Sequence, residues 1–307
     1  MNNNEMKNNA MQWMVHGNTF QVCGRTVKRL PAMAYSCGMD NYGRAVFQAR
    51  TLHVDDLVDF PGSLPAKVLE EIEKFWKLGE RFRAHGFLHR RGYLFYGKQG
   101  CGKSSLIHQV IARIVAAGNV AFFCDQPYAF IACMEQFCTV ESDRPMVCIF
   151  EDIDAIIKHY GDSHLLQWLD GNHQVDKAIN LATTNYPETL DRRIIARPRR
   201  FDRILKIGTP DARLREAYFG RKLSSLSSSD LARWVEVSEG LPFAALAELI
   251  ISVCCLGNDL DRSAALLKEL DAHNPSSQED EGNESANGEA SEPLPIGSLA
   301  GKDAIPF

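Results

Sequence analysis

The sequence lacks the paired cysteines on which zinc sites and disulfide frameworks depend. It has nine cysteines, an odd number, and no two of them are spaced as C-x-x-C. Several lie within apolar runs, where a thiol behaves as a small hydrophobic side chain. We therefore expect reduced thiols and neither a zinc site nor a disulfide scaffold, as is typical of a cytoplasmic protein.

Long apolar runs are also missing. The first residues, MNNNEMKNN, contain no apolar segment of the kind found in a secretion signal. The most apolar later stretch, residues 241–257, is interrupted by Pro242 and Glu248. The sequence therefore predicts no membrane span and a cytoplasmic location, in a bacterium or in the host of a phage.

The C-terminal part has few aromatic and few basic residues. Residues 271–306 contain no aromatic side chain, and residues 271–307 hold eight acids and one lysine, a net charge of −7. Because the whole chain carries −5, residues 1–270 carry only +2. A tail of this composition buries too little apolar surface to offset its ordering entropy, so we expect disorder over 271–307 and over the Asn-rich residues 1–16. The nearly neutral remainder shows no basic stripe interleaved with aromatics, the pattern that indicates direct nucleic-acid contact.

Between these ends the pattern predicts three regions. Short β-leaning segments predict a small β-rich N-terminal region over 17–60, and apolar spacing predicts a helix over 64–82. Residues 61–210 then alternate strands and helices, which is typical of a parallel sheet with helices on both faces. The predicted strands are 93–96, 119–124, 146–150, 178–184 and 203–208. Four amphipathic stretches predict a small all-helical lid over 211–270.

One motif assigns chemistry to this α/β region. Residues 97–104 read GKQGCGKS, which fits G-x-x-x-x-G-K-[ST] with a strand before it and a helix after it. Such a loop wraps backbone N–H groups around a polyphosphate, while Lys103 neutralises the outer phosphates and the Ser104 hydroxyl binds Mg²⁺. The sequence thus predicts an α/β fold of the P-loop NTPase type with ATP and Mg²⁺ as cofactors. The predicted nucleotide-binding residues are Gly97, Lys98, Gln99, Gly100, Cys101, Gly102, Lys103, Ser104 and Ser105.

A pair of carboxylates follows the predicted strand 146–150. Glu151 and Asp152 come directly after its last residue. Phosphoryl transfer to water uses one carboxylate to hold hydrated Mg²⁺ and another to orient the attacking water. An ordinary acidic loop is the alternative, and the phosphate loop favours the catalytic interpretation.

Four segments resemble, in order and spacing, those of the AAA+ ATPases. They are RRGYLFYGKQGCGKSSL (90–106), CIFEDIDAI (148–156), LATTN (181–185) and RPRRFDR (197–203). The similarity extends over about residues 61–257 and is strongest to the branch near the mitochondrial Rieske-protein translocase, which shares the Glu-Asp order. The resemblance implies a nucleotide domain, a helical lid and a ring, often of six subunits, with ATP at subunit boundaries.

The resemblance also implies roles for individual residues. Glu151 becomes the carboxylate on the Mg²⁺ side, together with Ser104, and Asp152 the one that prepares water, although the swapped order leaves this assignment open. Asn185 matches a sensor asparagine that places the water; a turn cap before Pro187 is the alternative. Arg200 and then Arg197 match arginine fingers, which reach a neighbouring subunit's γ-phosphate.

The sequence departs from the family in the loop, the lid and the pore. The loop has KQGC where relatives commonly have PPGT or PPGS, and Ala247 stands where many relatives have a basic sensor. The segment after Cys124 lacks the aromatic-hydrophobic-glycine loop of polypeptide threaders. Helical spacing places Tyr128 and Phe130 in the core rather than in a pore.

The last residues resemble the tips of bacterial single-stranded-DNA-binding proteins. An acidic linker precedes Ile305-Pro306-Phe307, and an aromatic side chain of this kind suits an apolar pocket rimmed by basic residues. The tip is therefore predicted to bind proteins that recognise such tails; a frayed terminus is the alternative.

Three functions follow from these features. The first is a Mg²⁺-dependent ring ATPase that remodels a protein or nucleoprotein target of unknown identity. The second is a replication or repair motor or loader recruited through the tip. The third is an ATP-gated scaffold with little turnover, motivated by the Glu-Asp order and Ala247.

Overall fold

The computed structural model describes residues 12–16, 19–23, 26–51, 63–170, 175–195, 197 and 199–272. Its strands are β1 (Gln12–His16), β2 (Thr19–Cys23), β3 (Ala34–Met39), β4 (Ala45–Arg50), β5 (Arg90–Tyr96), β6 (Val120–Phe123), β7 (Met146–Phe150), β8 (Ala178–Thr184) and β9 (Arg203–Lys206). Its helices are α1 (Leu64–Trp76), α2 (Gly79–Ala84), α3 (Lys103–Ala116), α4 (Pro127–Val140), α5 (Ile153–Tyr160), α6 (Ser163–Asp170), α7 (Arg192–Ile195), α8 (Ala212–Lys222), α9 (Ser228–Val237), α10 (Phe243–Ile250) and α11 (Leu260–Ala272).

Seven strands form one sheet in the order β4-β3-β6-β7-β8-β5-β9. Every neighbouring pair in it is parallel except the antiparallel pair of β3 and β4. Because a parallel pair needs a long crossover, the helices between the strands lie on the sheet faces. This confirms the predicted P-loop NTPase α/β fold.

Both faces of the sheet are covered, so its central strands are buried throughout. All seven residues of β8 and all five of β7 are buried. On one face, α4 and α6 contribute Phe130, Phe137 and Trp168 to the core. On the other, α1 and α3 contribute side chains such as Phe75 and Ile107. The continuous apolar runs predicted as strands reflect this two-sided burial.

The N-terminal β-rich region extends the sheet of the ATPase core. β3 pairs in parallel with β6 from Ala34 opposite Ala121 to Ser36 opposite Phe123. The predicted region 17–60 and the predicted core 61–210 therefore share one sheet. Periodicity identifies a strand but not its partner, which explains why the sequence did not predict this pairing.

Disorder was expected through residue 16, but β1 and β2 form a two-stranded antiparallel sheet. The expectation is therefore wrong for residues 12–16, whereas residues 1–11 lie outside the described part. A Gly-Asn pair, residues 17 and 18, separates the two strands, and such a pair between β-leaning runs is a hairpin signal.

The helical region predicted over 64–82 consists of two helices. α1 ends at Trp76, and α2 begins at Gly79, where the lower helix propensity of glycine favours a break. Ser63 caps α1 by accepting a hydrogen bond from the Ala66 N–H at 3.3 Å. Pro65 occupies the first turn as predicted.

The C-terminal helices α8 to α11 pack around a core of their own. Its buried members include Phe219, Trp234 and Leu246. The last turn of α10 continues as a π-helical segment, Ile251–Cys255. The helical character predicted for residues 211–270 is confirmed. Because α11 continues through Asp271 and Ala272, the disorder expected from residue 271 onward is wrong for these two residues. Among the described residues, no helix is both long and apolar enough to cross a bilayer.

A close backbone contact at Gly92 supplies a stability test. A Cβ atom at Gly92 in β5 would lie 2.0 Å from the Arg200 carbonyl oxygen, whereas one at Gly38 in β3 would meet nothing within 4 Å. We expect Gly92→Ala to lower the free energy of unfolding by about 2 kcal/mol or more, and Gly38→Ala to change it by less than about 0.5 kcal/mol. Thermal and urea unfolding of the two variants measure this; equal stabilities would contradict the contact.

Candidate nucleotide site

The phosphate loop connects β5 to α3 at the carboxyl edge of the sheet. Its three glycines, Gly97, Gly100 and Gly102, all adopt positive φ angles, of 138°, 80° and 98°. At Gly97 a side chain is excluded also by space, because a Cβ would lie 2.3 Å from the Ile207 carbonyl oxygen. The loop delivers the chain into the first turn of α3, whose N–H groups lack intrahelical partners. This is the predicted anion-binding arrangement.

Lys103 is the first residue of α3 and is buried. Its Nζ donates to the carbonyl oxygens of Gly97, at 2.5 Å, and Lys98, at 2.9 Å. The loop therefore holds its own ammonium group inside its curve. A cation held in the loop by backbone carbonyls, next to the N–H groups of the first turn of α3, suits a polyphosphate, so the residues present fit the predicted nucleotide.

The other predicted loop residues divide into exposed and buried groups. Gln99, Ser104 and Ser105 are exposed, whereas Cys101 is buried in the core beneath the loop. Ser104 lies in the first turn of α3 next to Lys103, as a hydroxyl ligand of Mg²⁺ would. Lys98 is half-buried and is ion-paired with the lid residue Asp271.

The two carboxylates begin the turn that leaves β7. Glu151 follows Phe150, and Asp152 adopts a left-handed conformation with φ 47° before α5 begins. The backbone N–H of Asp152 donates to Thr183 Oγ1 at 2.9 Å. This hydrogen bond from β8 stabilises the turn. Such support matters because residues other than glycine adopt a left-handed backbone conformation less readily.

Asp152 has a raised pKa. Partial desolvation is the largest cause, the neighbouring charges of Asp154 and Glu151 add to it, and the positive charge of Lys103 opposes it. The carboxylate of Asp152 is therefore more basic than an ordinary aspartate. A higher basicity suits a group that accepts a hydrogen bond from an attacking water.

The end of β8 contributes a second set of polar groups. The Thr184 hydroxyl donates to Asp154 Oδ1 at 2.6 Å and accepts the Tyr186 N–H at 3.0 Å. Asn185, which lies between Thr184 and Tyr186, follows the strand directly and is half-buried. Sequence reasoning identified Asn185 but missed the structural roles of Thr183, Thr184 and Asp154. The polar residues that end an otherwise apolar strand were the available signal.

The sheet register brings these segments together. Tyr96 at the end of β5 lies opposite Thr184, and Phe150 at the end of β7 lies opposite Ala182. β8 lies between the other two strands, so the phosphate loop, the Glu151-Asp152 turn and Asn185 all leave the same edge. A phosphate-binding cation, two carboxylates and an amide there can bind and polarise a polyphosphate and a water.

The predicted arginines lie away from this edge. The Arg200 carbonyl oxygen lies close to Gly92, near the start of β5. Its guanidinium is 2% exposed and forms a two-pronged pair with Asp170, in which Nε donates to Oδ1 at 2.5 Å. That hydrogen bond is the main reason why the pKa of Asp170 is lowered. Arg197 is exposed and contacts the same carboxylate at 3.3 Å.

The lid contacts the loop through the start of α10. The Ala244 N–H donates to the Gly100 carbonyl oxygen at 3.2 Å, and a Cβ at Gly100 would lie 2.9 Å from the Ala244 side chain. Ala247, where the family commonly has a basic sensor, lies one turn further along α10. The loop and the lid are therefore in direct contact.

The two aromatics after β6 have different environments. Phe130 is buried in the core against Phe150 and Trp168, as predicted. Tyr128 is 64% exposed and packs edge-on against His164, so the prediction of core packing is wrong for this residue. Tyr128 lies seven residues before Glu135 and eleven before Thr139, which are both exposed, so the three share one face of α4. Pro127 and Phe130, beside it in the first turn, belong to the buried face instead.

Comparison with known proteins agrees with this geometry. Residues 93–209 match the family described as ATPase family associated with various cellular activities (AAA). The matched range begins within β5 and ends after β9, so it contains the phosphate loop, the carboxylates and the arginines. Fold, loop and match together assign an ATP-hydrolysing domain.

Curated relatives extend the similarity to 232 residues. The chain is 30% identical over that length to the ATP-dependent zinc metalloprotease FtsH 2 of Symbiobacterium thermophilum, which covers 66% of this chain and 38% of the relative. It is 29% identical over 231 residues to FtsH 1 of Methylacidiphilum infernorum, with shares of 66% and 35%. FtsH 3 of Sphaerobacter thermophilus is 31% identical over 210 residues, with shares of 57% and 42%. The match thus spans about two fifths of each relative.

The raised pKa of Asp152 predicts a shift in the pH dependence of ATP hydrolysis. In the role predicted for it, Asp152 accepts a proton from water and must first lose its own, so we expect the acid limb of kcat/KM to lie above the pH of an ordinary aspartate. Asp154→Asn removes one neighbouring negative charge and keeps an acceptor for Thr184, so it should move the limb to lower pH. A pH profile of both proteins measures this, and an unmoved limb would contradict the assignment.

The two arginines should differ in their effects on stability. Arg200→Ala removes a buried side chain paired with Asp170 and should lower the free energy of unfolding by about 2 kcal/mol. Arg197→Ala changes an exposed pair and should cost less than about 0.5 kcal/mol. Thermal unfolding distinguishes them; equal losses would show that the Arg200–Asp170 pair is not a structural contact.

Proposed function

We propose that this protein is a Mg²⁺-dependent ATPase that assembles into a ring and uses hydrolysis to remodel a protein or nucleoprotein target. The supporting observation is the convergence of the phosphate loop, the Glu151-Asp152 turn and Asn185 at the carboxyl edge of β5, β7 and β8. The match of residues 93–209 to the AAA family supports the same chemistry.

Each residue at the edge has a proposed task. Lys103 and the N–H groups of the loop bind the β- and γ-phosphates of ATP, and Ser104 with Glu151 holds Mg²⁺, partly through water. Bound Mg²⁺ would neutralise charge that develops on the phosphoryl oxygens. Mg²⁺ binds through one or two carboxylates together with substrate phosphates, which matches the few protein ligands present here.

Asp152 and Asn185 act on the water. Asp152 accepts its proton as the oxygen attacks, and the Asn185 amide fixes its position. The Thr183 hydroxyl supports the turn that carries Asp152. The raised pKa of Asp152 favours the choice of this residue over Glu151 as the group that prepares water.

The positions of the arginines support a ring. Gly92, beside Arg200, lies five positions before Gly97 in the phosphate loop, which places the two roughly 16 Å apart along an extended strand. An arginine at that edge serves a neighbouring subunit rather than its own loop. Because Arg200 is buried in its pair with Asp170, we assign the finger to the exposed Arg197 and a supporting role to Arg200.

Protein remodelling is favoured by the relatives and by one surface residue. The relatives are named as ATP-dependent proteases, so ATP use in them serves proteolysis. The exposed Tyr128 follows β6 at the start of α4 and offers an aromatic contact to a target. We propose the same class of target, a polypeptide or a nucleoprotein, for this chain.

A scaffold with little turnover is the second candidate. It is favoured by the contact between α10 and the phosphate loop and by the absence of a basic residue at position 247. Recruitment to DNA enzymes through Ile305, Pro306 and Phe307 stays a prediction, because these residues lie outside the described part of the chain. Binding of a 301–307 peptide, with and without Phe307, to a protein that reads single-stranded-DNA-binding-protein tails tests it.

Steady-state ATPase assays separate the enzyme from the scaffold. Lys103→Ala should abolish nucleotide binding and hydrolysis, because it removes the ammonium group that the loop holds through the carbonyl oxygens of Gly97 and Lys98. Asp152→Asn should bind ATP normally and hydrolyse it at least about 100-fold more slowly, since it removes the proton acceptor. Wild-type turnover no greater than that of Lys103→Ala would favour the scaffold.

Matched variants control for general damage. Lys67→Ala changes an exposed lysine of α1, and Asp143→Asn changes a carboxylate that is 90% exposed. Both should retain wild-type turnover and thermal stability. Loss of activity in either control would show that the effects at Lys103 and Asp152 are not specific to the site.

A further inference from the structure

An ion pair joins the phosphate loop to the far end of the lid. Lys98 Nζ lies 2.8 Å from Asp271 Oδ2, across 173 residues of sequence. Lys98 is the second residue of the loop, and Asp271 lies in the last turn of α11. The two side chains retain 25% and 21% exposure, so the pair is reachable by solvent and by solutes.

The pair adds to the contact between Ala244 and Gly100 at the other end of the loop. The hydrogen bond from Ala244 to Gly100 joins backbone groups, whereas the contact between Lys98 and Asp271 joins two charged side chains. An anion that enters the loop therefore acts directly on only one of them. The Lys98 carbonyl oxygen also accepts from Lys103, so both ammonium groups belong to the same short turn.

Electrostatics sets the direction of the effect. A polyphosphate carries several negative charges and competes with the single carboxylate of Asp271 for Lys98. The same carboxylate repels a polyphosphate that approaches the loop. A part-exposed ion pair is weak, so a highly charged ligand can displace it.

We propose that Asp271 is a displaceable counter-ion of Lys98: it ties α11 to the phosphate loop without nucleotide and releases the lid helix when a polyphosphate takes its place. This inference rests on the proposed nucleotide site. Asp271 is thus a positioning residue, which acts on the nucleotide through Lys98. Binding of a polyphosphate to the loop thereby increases the mobility of α11 in the lid.

Two measurements on the full chain test the exchange. The first is the Kd of ATP with Mg²⁺ under conditions without turnover, at 4 °C. Asp271→Asn should tighten binding by roughly fivefold, the size expected when one unit charge near a polyphosphate is removed in water. The second is backbone hydrogen exchange in the last two turns of α11. ATP should speed this exchange in the wild type, and Asp271→Asn should show the faster exchange before ATP is added.

The chain offers two matched controls. Asp261→Asn breaks the pair with Arg233, which joins α9 and α11 inside the lid, and should leave the affinity for ATP unchanged. Asp271→Glu keeps the carboxylate and should retain the wild-type affinity and the response of α11 to ATP. A purely structural role of position 271 would instead loosen α11 in Asp271→Asn without tightening the binding of ATP.

The outcomes distinguish this inference from the proposed function. Tighter binding by Asp271→Asn together with release of α11 by ATP supports the exchange. Normal ATP binding with unchanged or slower exchange in α11, or with unchanged or weaker affinity in Asp271→Asn, overturns the exchange and leaves the ATPase proposal intact. Failure of the wild type to bind ATP overturns both.

Discussion

The parallel register of β5, β8 and β7 is the constraint on which the rest of the structure depends. Backbone hydrogen bonds place Tyr96 opposite Thr184 and Phe150 opposite Ala182. Because parallel strands all point the same way, every segment that leaves them emerges at one edge. Burial on both faces fixes this register, since a slip by one residue would exchange the side chains that face the two cores and disrupt the packing of both. The positions of the functional groups at this edge therefore depend on the packing of side chains along the whole length of the strands.

The charged side chains predicted to act in phosphoryl transfer are divided between two edges of the sheet. Lys103 and the carboxylates of Glu151 and Asp152 lie at the carboxyl edge, whereas Arg197 and Arg200 gather around Asp170 beyond the other end of β5. In the ring that we propose, the edge of one subunit that carries these arginines faces the edge of the next subunit that carries the phosphate loop. That arrangement would bring the two sets of charges together.

Local patterns predicted most of the fold and the site, and nonlocal pairing accounts for the rest. The phosphate loop, the strand before Glu151 and the helices of the lid each have a signal within about fifteen residues. The addition of β3 to the sheet beside β6, the Asp170 partner of Arg200 and the Asp271 partner of Lys98 join residues distant in sequence. Hydrophobic periodicity contains no information about such partners. Tyr128 shows that a local signal can also be misread: its apolar neighbours favoured the core, but it lies seven residues before Glu135, on the exposed face of α4.

The central claim is that each active site is completed by a neighbouring subunit, and mixing inactive variants tests it most directly. Lys103→Ala subunits keep Arg197 but lose the loop cation, and Arg197→Ala subunits keep the loop but lose the finger. Our account predicts that each variant alone hydrolyses almost no ATP and that an equal mixture regains about a quarter of the wild-type rate, because random assembly makes that share of boundaries complete. A mixture as inactive as its two components would contradict the account.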